Sequence, residues 1–153
     1  MTTITLPWPP SVNHYWRMWR GRMLISRQGR TYREQVGAIL RAAGVTPLAG
    51  QLAVHIELYP PDRRKRDIDN TLKAIGDSLQ HGGAFLDDSQ IVWLLLEKAE
   101  VVAGGKVVVR IAERTGGPLP FPSNEHLSLN GSAPGRTVRW HNPRQSESTS
   151  PVR

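Results

Sequence analysis

A single domain of interleaved strands and helices, followed by a polar tail, is the fold this sequence predicts, and three observations predict it. Apolar residues alternate at a period of two over residues 2–6 and again over 51–59, the spacing of a strand with one face on a core. Two other segments repeat apolar residues at the helical period: Tyr32, Val36, Ile39 and Leu40, then Leu72, Ile75 and Leu79. Beyond Glu113 the composition shifts to Gly, Pro, Ser, Asn and Arg without periodicity, which buries too little apolar surface to fold. Residues 1–113 are therefore expected to form the domain, and residues 114–153 a disordered tail.

Taken in order, residues 2–6 read as a first strand, stopped by Pro7-Trp8-Pro9-Pro10 because proline cannot donate to a ladder. Residues 13–22 interleave Tyr15, Trp16 and Trp19 with Arg17, Arg20 and Arg22. Such a mixture suits phosphates and unstacked bases; equally, Trp16 and Trp19 can cap the core. Met23-Leu24-Ile25 is a second short strand, with Gly21 helping the turn. Ser26 is the N-cap of a helix closed by Gly44. That helix carries Arg27, Arg30, Arg33 and Arg41, whose ordinary role is a charged outer face.

Over residues 51–59, Leu52, Val54, Ile56 and Leu58 share one face and Ala53, His55, Glu57 and Tyr59 the other. His55 there is more ordinarily structural than a ligand. Asp69 or Asn70 is expected to cap the second helix, which Gly82-Gly83 ends. Residues 91–96 read as a buried strand running on to about Val102, and residues 106–112 as its hairpin partner across Gly104-Gly105.

Composition narrows the function. The net charge of +7 and pI of about 10.5 favour a polyanionic partner. Residues 1–113 hold 15 Lys and Arg against 11 Asp and Glu, a net +4; the tail, with 5 against 2, adds +3. The absence of cysteine excludes disulfides, thiolate metal sites and cysteine nucleophiles. Residues 91–96 are the longest apolar run, far short of the roughly 20 residues a membrane helix needs. No signal-peptide pattern opens the chain, so a soluble cytoplasmic protein is expected.

One stretch concentrates the chemistry. Arg63, Arg64, Lys65 and Arg66 run directly into Asp67 and Asp69, followed by Asn70 and, four residues after the second acid, Lys73. Asp87 and Asp88 follow in a loop before the next strand. Acids at i and i+2 point the same way in an extended segment, and the intervening helix can fold the second pair back onto the first. Converging carboxylates repel and require a cation. All-oxygen ligands point to Mg²⁺, with Mn²⁺ able to substitute, rather than zinc. Asp67, Asp69, Asp87 and Asp88 are thus candidate ligands, and Lys73 would offset charge growing on a phosphate. Arg63, Arg64, Lys65, Arg66 and Asn70, with Arg17, Arg20 and Arg22, are candidate DNA contacts. Caps, turns and a solvated charge run explain the same residues without chemistry. A metal-dependent nuclease is the reading these residues suggest; a non-catalytic nucleic-acid-binding protein, or a metal nuclease acting on flaps or single strands, stands beside it.

Three motifs carry a resemblance: Leu6-Pro7-Trp8-Pro9-Pro10-Ser11-Val12-Asn13, the run from Pro61-Asp62-Arg63 through Leu72-Lys73, and Phe85-Leu86-Asp87-Asp88-Ser89-Gln90-Ile91. In this order and spacing the chain resembles the RusA family of Holliday junction resolvases, small endodeoxyribonucleases often encoded by phages and prophages. The resemblance implies an α+β fold with a small mixed β-sheet and packed helices. It implies a homodimer that binds four-way junction DNA in the cytoplasm of a bacterial host and places paired symmetric nicks with Mg²⁺ or Mn²⁺. It also implies catalytic roles for Asp67, Asp69, Asp88 and Lys73, while Asp87 matches an acid of open role. The tail and the aromatics from Trp16 to Trp19 find no counterpart in the resemblance.

Overall fold

The computed structural model of the chain describes residues 1–117 and 121. Its elements, in order, are β1 (Thr2–Pro7), α1 (Val12–Tyr15), β2 (Trp16–Trp19), β3 (Arg22–Ile25), α2 (Arg27–Ala42), β4 (Leu52–Tyr59), α3 (Leu72–His81), β5 (Ile91–Lys98) and β6 (Lys106–Glu113). Strands β1, β6, β4 and β5 form one sheet in that order. β1 and β4 flank β6 antiparallel, while β4 and β5 are parallel. The fold is the expected α+β class with a small mixed sheet. The expected tail, apart from residues 114–117 and 121, lies outside the described residues.

Alternation along β4 sets the layers. Leu52, Val54, Ile56 and Leu58 are buried on one face, with Ile4 and Leu6 of β1 and Val107, Val109 and Ile111 of β6. The helices cover that face with Tyr32, Val36 and Leu40 of α2 and Ala74, Ile75 and Leu79 of α3. Burying each such aliphatic side chain stabilises the fold by about 1.5–3 kcal/mol. The opposite face carries a smaller cluster of Ala53, Ala112 and Phe121 with Trp93 packed against it. Phe121, placed by sequence within the tail, stacks on Trp93 with ring centroids 5.4 Å apart.

Three expectations change. β5 is an edge strand rather than a buried one: Val92, Leu94 and Leu95 are exposed. An apolar run alone does not say how many neighbours a strand has. β5 and β6 are also not hairpin partners. β5 lies parallel to β4, and β6 inserts on β4's other side. The connection crosses the end of β4, where Leu58 and Pro60 carbonyls accept from the Ala99 and Val102 amides. Gly105 sits in this crossing at φ +68, where a Cβ would lie 2.9 Å from Trp8 Cβ, so both conformation and space demand glycine. Finally, Asp67, not Asp69 or Asn70, precedes the helical segment. It flanks a 3₁₀ turn over Ile68–Thr71 that feeds α3.

Residues 13–22, read from sequence as an aromatic and basic stretch, fold into the short helix α1 and the strand β2. β2 and β3 pair antiparallel as a separate two-stranded ribbon. Ser26 caps α2 as expected, its Oγ accepting from the Gly29 amide at 3.0 Å. Gly29 itself lets α2 press on α1: a Cβ there would lie 2.6 Å from the Tyr15 carbonyl oxygen and 2.7 Å from Ile25 Cγ1. Gly29→Ala is accordingly expected to destabilise the protein by about 1–3 kcal/mol through overpacking, despite alanine's better helix propensity. A urea midpoint lowered at unchanged slope is the result to look for.

Candidate active site

The loop after β4 is built on Asp62. Its two carboxylate oxygens accept from Arg66 Nη1 at 2.6 Å and Nη2 at 2.9 Å, and Oδ1 also accepts from the Arg64 amide at 2.9 Å. These bonds, the Arg66 side chain first, hold the Asp62 carboxyl well below the usual carboxylate range. The Arg66 guanidinium in turn lies 5.9 Å from the centroid of the Trp8 ring. Of the four cations in this run, Arg66 is thus committed within the protein. Arg63, Arg64 and Lys65 are exposed, with the Arg64 side chain only loosely placed 3.8 Å from Asp62.

The 3₁₀ turn sends neighbouring residues into two adjoining hollows. Asp69, Lys73, Asp77 and Asp88 line a cavity of about 440 Å³ whose apolar floor includes Val54, Ile56, Leu79 and Phe85. Asp67 and Asn70 line a separate cleft of about 570 Å³ with Trp8 and Lys65. There Asn70 Nδ2 donates to Asp67 Oδ2 at 3.4 Å. Three of the four expected catalytic residues therefore share one cavity, and Asp67 borders it from the next.

Asp88 and Asp87 separate by role. Asp87 caps the short 3₁₀ turn at Asp88–Gln90, accepting from the Ser89 amide at 2.9 Å. That bonding keeps its carboxyl below the usual range. Gln90 locks the same loop: its Oε1 accepts from the Leu86 and Asp87 amides, and its Nε2 donates to the Leu48 and Gly50 carbonyls. Asp88 is left exposed on the rim of the cavity.

Sequence reasoning missed Asp77. It lies one turn beyond Lys73 on α3, and its Oδ1 is 2.8 Å from Lys73 Nζ. The i,i+4 spacing was the available signal. The Asp77 hydrogen bond, then the nearby Asp88 charge, hold the Lys73 ammonium above its ordinary pKa against the opposing effect of burial. Trp16 lines the surface hollow beside this pair, together with Arg33.

The acids suit a hard divalent cation. Asp69, Asp77 and Asp88 outnumber Lys73 around the cavity, and every anionic donor is oxygen. No three of Asp67, Asp69, Asp87 and Asp88 have carboxylate oxygens within 4.8 Å of one another, as repulsion between like charges dictates unless a cation lies between them. Among the described residues, the one trio gathered that closely is His55, Glu57 and Glu97, on the far face of the sheet. There Arg110 Nη1 lies 2.9 Å from Glu57 Oε2 and 3.3 Å from His55 Nδ1, and His55 Nε2 bonds Glu97. This network carries its own cation, in line with a structural role for His55.

The ribbon arginines stand away from the cavity. Arg17, Arg20 and Arg22 are exposed, and the first two guanidiniums lie 5.9 and 5.7 Å from the Trp19 ring centroid. The two tryptophans differ: Trp16 packs partly on the core, whereas Trp19 is 55% exposed.

An acid-lined cavity on a small mixed sheet is the kind of site that suits a metal-dependent phosphodiesterase. The family model described as "Endodeoxyribonuclease RusA" matches residues 7–112. The chain is 44% identical over 112 residues to the crossover junction endodeoxyribonuclease RusA of Escherichia coli strain K12, covering 72% of this chain and 93% of that protein. It is 45% identical over 112 residues to the Shigella sonnei protein of that name, with the same coverage. The counterpart from Enterobacteria phage 82 is 44% identical over 111 residues, 72% of this chain and 92% of its own. The chain belongs to the RusA family of endodeoxyribonucleases.

Because Lys73 is raised by Asp77, its charge contributes stability that is full below the ordinary lysine pKa and is lost as pH climbs through the raised one. Following the Lys73 side chain by NMR should give a titration midpoint above the ordinary lysine value. Asp77→Asn should move the midpoint down; an unmoved midpoint would show that the pair does not set it.

Proposed function

We propose that this chain is a Mg²⁺-dependent endodeoxyribonuclease that resolves four-way DNA junctions by paired symmetric nicks. The observation that carries the reading is the meeting of Asp69, Lys73 and Asp88 on one cavity, in a member of a family whose named relatives are crossover junction endodeoxyribonucleases. Arg63, Arg64 and Lys65, exposed on the loop that leads into Asp67 and Asp69, hold the DNA backbone, and the exposed Arg17, Arg20 and Arg22 of the ribbon add further basic surface. Asp62 fixes Arg66, so Arg66 shapes the loop more than it binds phosphate.

Asp69 and Asp88 would hold the cation, with Asp67 joining from the adjoining cleft; Asp87 instead keeps its loop in place. A divalent ion bound there supplies an acidified water and neutralises phosphate charge. Lys73, kept protonated by Asp77, faces charge developing on the phosphate. Asp77 is a positioning residue in this scheme. A homodimer would offer two equivalent cavities to a substrate of nearly two-fold symmetry. The phage 82 relative supports a phage or prophage setting inside a bacterial host, and no described helix is long and apolar enough to cross a membrane.

A labelled synthetic four-way junction, incubated with Mg²⁺ or EDTA beside the matching linear duplex, tests the proposal. Symmetric nicks in the junction alone, and only with metal, are expected. Asp69→Asn should lower cleavage at least about a hundredfold while junction binding by gel shift persists. Tight binding without cuts under any divalent ion would make this a binding protein. Cuts in flaps but not junctions would make it a different nuclease.

Asp77→Asn should slow cleavage roughly tenfold or more, as loss of a supporting partner does. Its effect should grow as the pH is raised, because Lys73 then loses its proton earlier. A pH-independent loss would point to a merely structural role for Asp77.

A further inference from the structure

We infer that the hollow sharing Lys73 and Asp77 with the acid cavity is a second phosphate site, where Arg33 holds the phosphodiester next to the one at the acids. The inference rests on the nuclease reading above for the register of the strand, while the anion site itself stands on the geometry of Arg33.

By sequence, Arg33 is one of four arginines on the outer face of α2. Its surroundings set it apart. It lies one helical turn after Gly29, the residue whose missing side chain lets α2 press on Tyr15, so it faces α1. Its Nε donates to the Tyr15 hydroxyl at 2.7 Å, and its guanidinium carbon lies 5.6 Å from the Tyr15 ring centroid. Tyr15 is fully buried, so a core-anchored ring fixes a half-buried guanidinium. Tyr15 orients this charge without neutralising it. Among the described residues no carboxylate pairs with Arg33, and no acceptor engages its Nη1 or Nη2. Other arginines nearby are spent: Arg30 Nη1 donates to the Ile25 carbonyl at 3.0 Å, and Arg66 is held by Asp62. An oriented fork with both outer nitrogens open suits bidentate bonding to phosphate oxygens. Because the fork is already fixed, little side-chain freedom is lost on binding.

The hollow, of about 660 Å³, matches that ligand. Asp77 is the one acid in its lining and is already engaged by Lys73 at 2.8 Å. The charge of Arg33 is therefore left for a partner from outside. Trp16 and Leu86, the latter 63% exposed, add apolar surface that suits the deoxyribose beside a phosphate. Such contacts are with the DNA backbone and carry no base identity.

Position completes the case. Lys73 and Asp77 line both the acid cavity and this hollow. A strand with one phosphate at Asp69 and Asp88 passes Lys73 and presents a neighbouring phosphate to Arg33. Arg33 is thus a positioning residue that sets how the strand lies over the acids.

The test uses the full chain with EDTA, so that binding is read without cutting. Four-way junctions are prepared in which one phosphate at a time near the branch point is a neutral methylphosphonate, and their affinities are compared by gel shift. Several positions should weaken wild-type binding. Arg33→Gln should weaken binding to the unmodified junction roughly tenfold and lower the slope against log salt by about 0.9. It should also become insensitive to the methylphosphonate at one position while keeping its sensitivity at the others. Arg33→Lys, which keeps the charge without the fork, should regain part of the sensitivity at that position. A merely structural role would weaken all junctions alike, so equal losses at every position, or an unchanged pattern in both variants, would overturn the inference. With Mg²⁺, the position coupled to Arg33 should adjoin the phosphate that is cut; a cut elsewhere would also overturn it. Coupling at one phosphate in a junction left uncut under Mg²⁺ would count against the nuclease reading and leave the anion site standing.

Discussion

The parallel pairing of β4 with β5 is the constraint on which the arrangement depends. Antiparallel neighbours can be joined by a tight turn, but parallel ones need a crossover long enough to return to the same end of the sheet. Here that crossover contains the loop of residues 60–67, the 3₁₀ turn and α3, with the Asp87–Asp88 loop returning to β5. The return places Asp88 on the same cavity as Asp69. Val54 and Ile56 of β4 and Leu79 of α3 form both the core and the cavity floor. Packing and chemistry thus share side chains. A cavity-forming change at Leu79 would be expected to disturb Asp69 and Asp88 as well as stability.

Much of this was legible in the residues, where periodicity or a local cap spoke for itself. The alternation of 51–59 marked β4, Ser26 marked the start of α2, and Gly82-Gly83 marked the end of α3. The acids and Lys73 stood out because a cationic run and spaced carboxylates are fused in one stretch. What stayed hidden depended on neighbours. An apolar run such as Ile91–Leu96 describes an edge strand and a central one equally well, and only the sheet order of β5 tells them apart. Gly104-Gly105 looked like a hairpin turn because chain proximity suggests partners that the insertion of β6 beside β4 then replaces.

Within the site, the limits were of the same kind. Asp87 and Asp88 are chemically alike, and only the hydrogen bond from the Ser89 amide assigns one to holding the loop. Asp77 drew no reading from the sequence, and its contact with Lys73 is what gives it a part. Asp67 and Asp69, two residues apart, were expected to point together. The 3₁₀ turn that starts between them rotates their side chains into different hollows. Local conformation overrode the extended-chain geometry at that point.

The bond between Asp62 and Arg66 has a thermodynamic corollary. Each phosphate neutralised by a protein cation liberates about 0.9 of a condensed counterion from duplex DNA, and this release makes affinity fall with ionic strength. An arginine already neutralised by a carboxylate liberates none. On the proposed DNA-binding role of this loop, its run of four cations should therefore behave as about three in a plot of binding against log salt. Its fourth member serves as a hinge pin, folding the loop beneath Trp8 before any DNA arrives. Ordering achieved in the free protein is ordering that association need not supply.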